Sequence, residues 1–410
     1  LCEFRGGGGR VKLAYIYDAI RSPRTRAKDS GGLHELTPQE LLKQLYEHLL
    51  RRTGLDPNVI GEIILGCVTQ HGEQAGNIAK TSALYAGLPQ HIGGMTVSRF
   101  CSSGIDAISL AALKVGANQE QAVIAGGVEM MSRVPMLADK ARAFTDPAFA
   151  AQCQMLMMGS GADLIASLYD VTREQADAVA LQSQQRAAHA RDNAYFSSIV
   201  PIHNPDKGIT VEQDECIRGD ITTEQLASLP AAFADLGSKG EDQAQLLGHP
   251  GLEAISHVHT AGNSPAMCDG AAVLLIGDEA LADTLGRKPR ARILGAATAS
   301  ADPLQVLTGC VSAAERLLSE QGLTSQQVDL FELHEAFAAT TVKAQRDLDI
   351  GEDKLNVNGG VIALGHPMGA TGAMMTGTLL DELERRESST GLVAASGAAG
   401  SGSALLIELL

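Results

Sequence analysis

The chain has 410 residues, 45% apolar but only 3% aromatic, with no Trp and 44 Gly; such a core needs small aliphatic side chains on closely approaching backbones, and the length allows two or three domains. A formal net charge of −16 argues against nucleic-acid or anionic-membrane partners, and no apolar run reaches the roughly 18 residues of a membrane span. The seven cysteines, Cys2, Cys67, Cys101, Cys153, Cys216, Cys268 and Cys310, are scattered and odd in number, with no Cys-x-x-Cys, which speaks against a disulfide framework or a zinc site and for a reducing, cytoplasmic compartment.

Residues 1–11, with Gly6 to Gly9, read as a tag or an upstream remnant. A strand from Lys12 to Asp18 then runs into Arg21-Ser22-Pro23-Arg24. A helix begins at Thr37, and Gly54-Leu55 precedes an apolar strand, Glu62 to Gly66. Thr96-Val97-Ser98 leads through a turn into a helix, Ser102 to Val115, and Gln121 to Gly127 is a further strand. From 131 to 259 the sequence turns polar and irregular, with an Ala- and Gln-rich helix (Arg173 to Ala190) and a charged, proline-punctuated stretch, Pro201 to Pro250. This segment reads as a loop or lid domain inserted where ligands enter, splitting a first half made of residues 12–130 and 260–282.

Residues 283–410 repeat the pattern. A strand (Ala291 to Ala297), a helix (Leu304 to Gln321), Gly322-Leu323 and a strand (Val328 to Leu333) lead to the Gly359-Gly360 turn. A helix from Ala370 to Leu383 and strands Gly391 to Ala395 and Ser403 to Leu409 follow. Apolar strands alternating with helices predict an α/β fold, with parallel sheets covered on both faces. The duplication predicts a pseudo-twofold axis between the halves.

Cys101 lies in Arg99-Phe100-Cys101-Ser102-Ser103-Gly104, between a strand and a helix, where free N–H groups and the helix dipole favour a thiolate. His366, in Leu364-Gly365-His366-Pro367, holds the corresponding place in the second repeat, so the axis can bring an imidazole to the thiol. His334 and Glu335 follow a parallel strand, at the sheet edge where ligands gather. There His334 is a candidate oxyanion donor and Glu335 a group to orient it or a water. The sequence after His334 is not His-Glu-x-x-His, and His257-Val258-His259 lacks a neighbouring carboxylate or thiol ligand, so no metal is expected. Neither a phosphate-binding nor a dinucleotide-binding glycine motif is present.

With these residues in view, the chain resembles the thiolase family from about Lys12 to Leu410. Seven motifs occur in order: Arg21-Ser22-Pro23, Cys101-Ser102-Ser103-Gly104, Gly126-Gly127-Val128-Glu129-Met130-Met131-Ser132, Met158-Gly159, Thr260 to Ser264 with Asp269 to Ala272, His334-Glu335-Ala336-Phe337, and Gly365-His366-Pro367. The resemblance implies a five-layer αβαβα fold, a homodimer or homotetramer, and a possible β-oxidation partner subunit. His334, where many of the family have Asn, looks more like trifunctional-complex β-subunits. Coenzyme A thioesters are implied as substrates, with no permanently bound cofactor. Cys101 would be acylated, His366 would activate it, and His334 would help form one oxyanion hole. The backbone N–H groups of Cys101 and Ala398 would form a second, and Met158, Ser264, Ala336 and Phe337 would contact coenzyme A. Lys140, Arg142, Arg173, Lys207 and Arg218 are candidates for its phosphates.

One position departs from the family. Ser396 stands where the family has its second cysteine, the acid/base of the carbon–carbon step. A serine hydroxyl is far less acidic than a thiol of pKa about 8.5, so the substitution predicts a penalty of roughly 10²–10⁴ in that step. The alternatives to an acyltransferase are a weakly active subunit that binds coenzyme A esters and a decarboxylating, ketosynthase-like condensing enzyme.

Overall fold

A computed structural model describes residues 12–410; the glycine-rich start of the chain lies outside the described residues. The first half builds five long strands, β1 (Tyr15–Arg21), β2 (Ile60–Gly66), β3 (Gly93–Val97), β4 (Ala122–Met130) and β5 (Cys268–Gly277), in the order β3-β2-β4-β5-β1, and a two-residue strand, Thr25–Arg26, that pairs with β5 off this path. The second builds β6 (Ala291–Ser300), β7 (Leu330–Leu333), β8 (Thr390–Ser396) and β9 (Ser401–Leu409), in the order β6-β9-β8-β7. A parallel bridge from Phe331 to Leu355 takes the place of a β3 counterpart. Both halves therefore share one strand order, and they join where Tyr15 pairs with Arg292 and Ile16 with Ala291.

The sheets are mixed rather than parallel. β2 pairs in parallel with β3 and β4, and β7 with β8. β5 and β9 run antiparallel to both of their neighbours. For β9 the physical reason is connection length: only four residues separate it from β8, and a turn that short allows only a hairpin.

Side-chain alternation assigns the layers. In β4, Ile124 and Val128 face a cluster with Leu41 and Leu45 of α1 (Pro38–Thr53) and Ile78 of α2 (Ile78–Tyr85). Val123 and Ala125 face the opposite way, onto Ile105 and Ile108 of α3 (Ser103–Gly116). The same inner cluster holds Val393 and Ala395 of β8 with Met374 and Leu379 of a long helix near the C-terminus, Met368–Arg386. Leu392 and Ala394 of β8 face Val311 and Leu317 of the helix Gly309–Gln321 on the far side. The result is five layers, αβαβα, with two pseudo-equivalent helices sandwiched in the middle. Each buried Leu of α1 contributes about 1.5–3 kcal/mol. That helix is bounded by a Thr37–Glu40 capping box and by Gly54 at φ 71, as its sequence signals dictate.

Between β4 and β5 the chain leaves the sheet and forms α4 (Met158–Leu168), α5 (Arg173–Asp192) and a small hairpin, Ile202–Asn204 with Ile209–Val211. Short helices of seven residues or fewer are left unnumbered, and the longer helices of the second half are α6 (Gly309–Gln321), α7 (Ala338–Asp347) and α8 (Met368–Arg386). Ala162, Ala176 and Ala180 of the excursion pack with Ala336, Phe337 and Ile362, so it forms a wall over the strand ends. Arg21 and Asp214, both buried, pair bidentately at 2.7 and 2.8 Å and fasten this excursion to β1.

α6 begins at Gly309, five residues later than its pattern predicts. Residues 304–308 are irregular, with Val306 at φ 60. Their carbonyls serve other segments: Val306 O accepts from Gly400 N at 2.8 Å, and Leu307 O accepts from the Ser396 hydroxyl at 2.8 Å.

Candidate active site

α3 and α8 start side by side at the centre of the molecule, and glycines permit it. A Cβ on Gly127 would lie 2.3 Å from Gly369 O, and one on Gly104 would lie 2.6 Å from Ala373 N. The turns before these two helices carry Cys101 and His366, and His366 Nε2 lies 3.1 Å from Cys101 Sγ. The symmetry inferred from the repeat thus brings the two together.

Each turn is held by its neighbours. Ser102 Oγ donates to Arg99 O at 2.8 Å, and Ser103 Oγ accepts from Arg99 N at 2.8 Å. His366 N donates to Ala266 O at 2.8 Å, and its Nδ1 meets Thr371 Oγ1 at 2.8 Å. Glu129, fully buried, accepts from the N–H groups of Val68, Thr69 and Gly369 at 2.9–3.0 Å and from Gln74 Nε2 at 2.8 Å. It therefore ties the loop after β2 to the first turn of α8. In the sequence its only signal is a carboxylate inside a nine-residue strand that is otherwise uncharged.

Three non-glycine residues with positive φ surround this point: Phe100 (50), Val306 (60) and Ala399 (56). Such conformations cost of order 1–3 kcal/mol each and persist where the surroundings enforce them, as at reactive centres.

His334 N donates to Ala394 O at 2.9 Å, and Asn356 clamps Leu333 through both its N–H and its carbonyl. The His334 ring lies 4.6 Å from that of His366, centroid to centroid, and its Nδ1 meets the Ser396 carbonyl at 3.2 Å. Its Nε2 is buried without a partner among the described residues.

Electrostatics hold all three groups neutral at rest. Burial, with Glu129 adding to it, pushes the Cys101 thiol up to about 12. Burial lowers His334 to about 4. Burial, then the neighbouring His334 and Arg24, holds His366 well below the ordinary histidine value. The helix N-terminus was expected to favour a thiolate; desolvation outweighs it, so the thiol must lose its proton during attack rather than before it.

Cys101, His334 and His366 line an apolar cavity of about 250 Å³ together with Met158, Ser264, Ala336 and Phe337. A second cavity of about 150 Å³ also reaches Cys101 and includes Phe100, Met136, Leu137, Asp139 and Ala398. Among the described residues the N–H groups of Cys101 and Ala398 take no carbonyl in the turn and loop hydrogen bonds, and the Cys101 N–H lies against its own sulfur.

Two candidates turn away from the cavities. Ser396 Oγ donates to Leu307 O at 2.8 Å and accepts from Cys310 N at 3.0 Å. Glu335 accepts from Ser183 Oγ, Ile362 N and Asn356 Nδ2, bracing the segment that leads to His366. Of the candidate cations, Arg173 and Lys207 are engaged by Asp177 with the Leu226 and Leu229 carbonyls and by the Asp29 and Gly31 carbonyls. Arg142 pairs with Asp146 on the surface, Arg218 is half-buried and Lys140 is exposed. His257 and His259 both bond Asp163, at 2.8 and 2.7 Å, and His259 Nε2 accepts from Ala339 N, so they brace the fold.

The "Thiolase, N-terminal domain" family model matches residues 14–240, and "Thiolase, C-terminal domain" matches residues 287–409. The 3-oxoadipyl-CoA/3-oxo-5,6-dehydrosuberyl-CoA thiolase of Escherichia coli is 37% identical over 97% of this chain and all of its own length. A 3-ketoacyl-CoA thiolase of Bacillus subtilis is 36% identical with the same coverage. The crystal structure of the Bacillus anthracis acetyl-CoA acetyltransferase superposes with a TM-score of 0.86 at 34% identity, covering 98% of this chain and all of that one.

Proposed function

The chain belongs to the thiolase family, and from that premise we propose that it transfers acyl groups between coenzyme A and 3-ketoacyl-CoA through an acyl-Cys101 intermediate. The observation that carries this reading is the 3.1 Å contact between Cys101 Sγ and His366 Nε2 at the junction of two cavities. As sulfur attacks the substrate carbonyl, its proton passes to His366, whose other nitrogen is held by Thr371. The N–H groups of Cys101 and Ala398 are suited to receive the oxyanion that forms beside them. Glu335 supports the site from behind rather than reaching substrate.

Coenzyme A enters as substrate. Its pantetheine arm fits the apolar 250 Å³ cavity, whose methionine-rich wall adapts to a flexible chain. The acyl chain fits the smaller one, and its charge pattern supports neutral acyl groups. Asp139 lies in that lining with no Lys, Arg or His, so the second carboxylate of a dicarboxylic substrate would be repelled.

A homodimer is supported by the open edge of the first sheet, where β3 is half-exposed along its length and Leu113 and Tyr85 are 64% and 53% exposed. Among the described residues no helix is long and apolar enough to cross a membrane. A reducing, cytoplasmic setting fits a nucleophile that must stay a free thiol.

The decarboxylating alternative calls for two imidazole N–H donors at one thioester oxygen, and His334 directs its N–H to Ser396. The test is the coenzyme A-dependent cleavage of acetoacetyl-CoA by the wild type and by Cys101→Ala, with malonyl-CoA as control. Cleavage by the wild type alone supports the reading; CO₂ release from malonyl-CoA without cleavage sinks it.

A further inference from the structure

His334 and His366 are neighbours, but what their Nδ1 atoms face makes them chemically unequal. His366 Nδ1 faces the Thr371 hydroxyl, which donates or accepts, so the ring can present either a lone pair or an N–H at Nε2. A group that takes a thiol proton and passes it on needs that freedom. His334 Nδ1 faces a carbonyl, that of Ser396, which only accepts. Neutral His334 therefore keeps its proton on Nδ1 and a lone pair on Nε2. That nitrogen is buried and unpartnered, on a ring that lines the cavity shared with Cys101. An unpaired acceptor in such a place awaits a hydrogen that substrate brings.

Resting on the acyl-transfer reading above, we propose that His334 Nε2 is the base that removes the α-proton of the attacking coenzyme A thioester. It takes the part expected of position 396, whose hydroxyl is held by Leu307 O and Cys310 N. In condensation the Cα–H bond breaks as an N–H bond forms on His334. The C–H electron pair becomes the new carbon–carbon bond to the acyl carbon on Cys101. The sulfur–acyl bond breaks, and the departing Cys101 thiolate receives the proton from the imidazolium, so no net proton is taken up. Cleavage runs the same transfers in reverse. Burial keeps this nitrogen unprotonated at neutral pH.

The experiment is hydrogen–deuterium exchange into the methyl group of acetyl-CoA in D₂O, read by mass spectrometry beside acylation of Cys101. His334→Asn keeps a hydrogen-bond donor but has no basic nitrogen. In this variant exchange falls by about 10²–10⁴-fold, far more than acylation of Cys101, whose proton goes to His366 and not to His334. Wild-type exchange is flat from pH 6 to 8, whereas a thiol or hydroxyl base gives a rise of about tenfold per pH unit. Exchange by His334→Asn at the wild-type rate, or a tenfold climb per unit in the wild type, overturns the assignment. If the variant does not fold, the wild-type profile decides alone. If wild-type Cys101 takes no acyl group, it is the acyl-transfer reading that fails.

Discussion

Gly127→Ala tests whether the site depends on close backbone approach. The strand conformation at 127 tolerates alanine, so any effect comes from space. The new Cβ would sit 2.3 Å from Gly369 O and 2.8 Å from Ala370 Cα. Ordinary contact needs about 3.4 Å or more, so the first turn of α8 must retreat by about 1 Å. His366 lies three residues before Gly369, and a retreat of that size takes the 3.1 Å Sγ–Nε2 contact to about 4 Å, beyond hydrogen bonding. Overpacking costs about 1–3 kcal/mol of stability; loss of the base slows acylation by about 10²–10⁴-fold. Urea unfolding gives the first quantity, and the rate of acyl-Cys101 formation by rapid-quench mass spectrometry gives the second. A folded Gly127→Ala protein that acylates at the wild-type rate would refute the reasoning.

Thr371→Val removes the partner of His366 Nδ1 while keeping its shape; acylation should slow at least about tenfold, and Thr371→Ser should restore most of it. Ser396→Cys should leave acetoacetyl-CoA cleavage within about fivefold of wild type, since that side chain faces Leu307 O and Cys310 N; a rise of about 10² or more would show that the missing thiol limits the reaction. His334 titrates near 4 folded and near 6.5 unfolded. Between those values the unfolded chain binds the extra proton, so stability falls as pH falls. His334→Asn removes that linkage and should lose about 2 kcal/mol less than wild type between pH 6.5 and 4.5; equal pH slopes in urea unfolding would contradict it.

Much of this was legible from residue type and order. The repeat set Cys101 and His366 before equivalent helices, and small apolar strands announced sheets buried on both faces. What escaped reading depends on atoms brought from far along the chain. Nothing local says that Ser396 would turn toward Leu307, or that its carbonyl would fix the tautomer of His334. Cys216 and Cys268, 52 residues apart in the chain, end with their sulfurs 3.3 Å from each other, which spacing alone could not show. The strain at Phe100, Val306 and Ala399 likewise runs against local preference and is imposed by packing. The thiolate expected at a helix start failed because burial, a property of the whole fold, outweighed a local dipole.

The most direct test of the central claim is peptide mapping after a brief incubation with acetyl-CoA. The account predicts one acetyl group per chain, on the peptide carrying Cys101, formed at least about 10²-fold more slowly in His366→Ala and discharged by added coenzyme A. An unmodified Cys101, or an acetyl group on another cysteine at the same rate with or without His366, would contradict it.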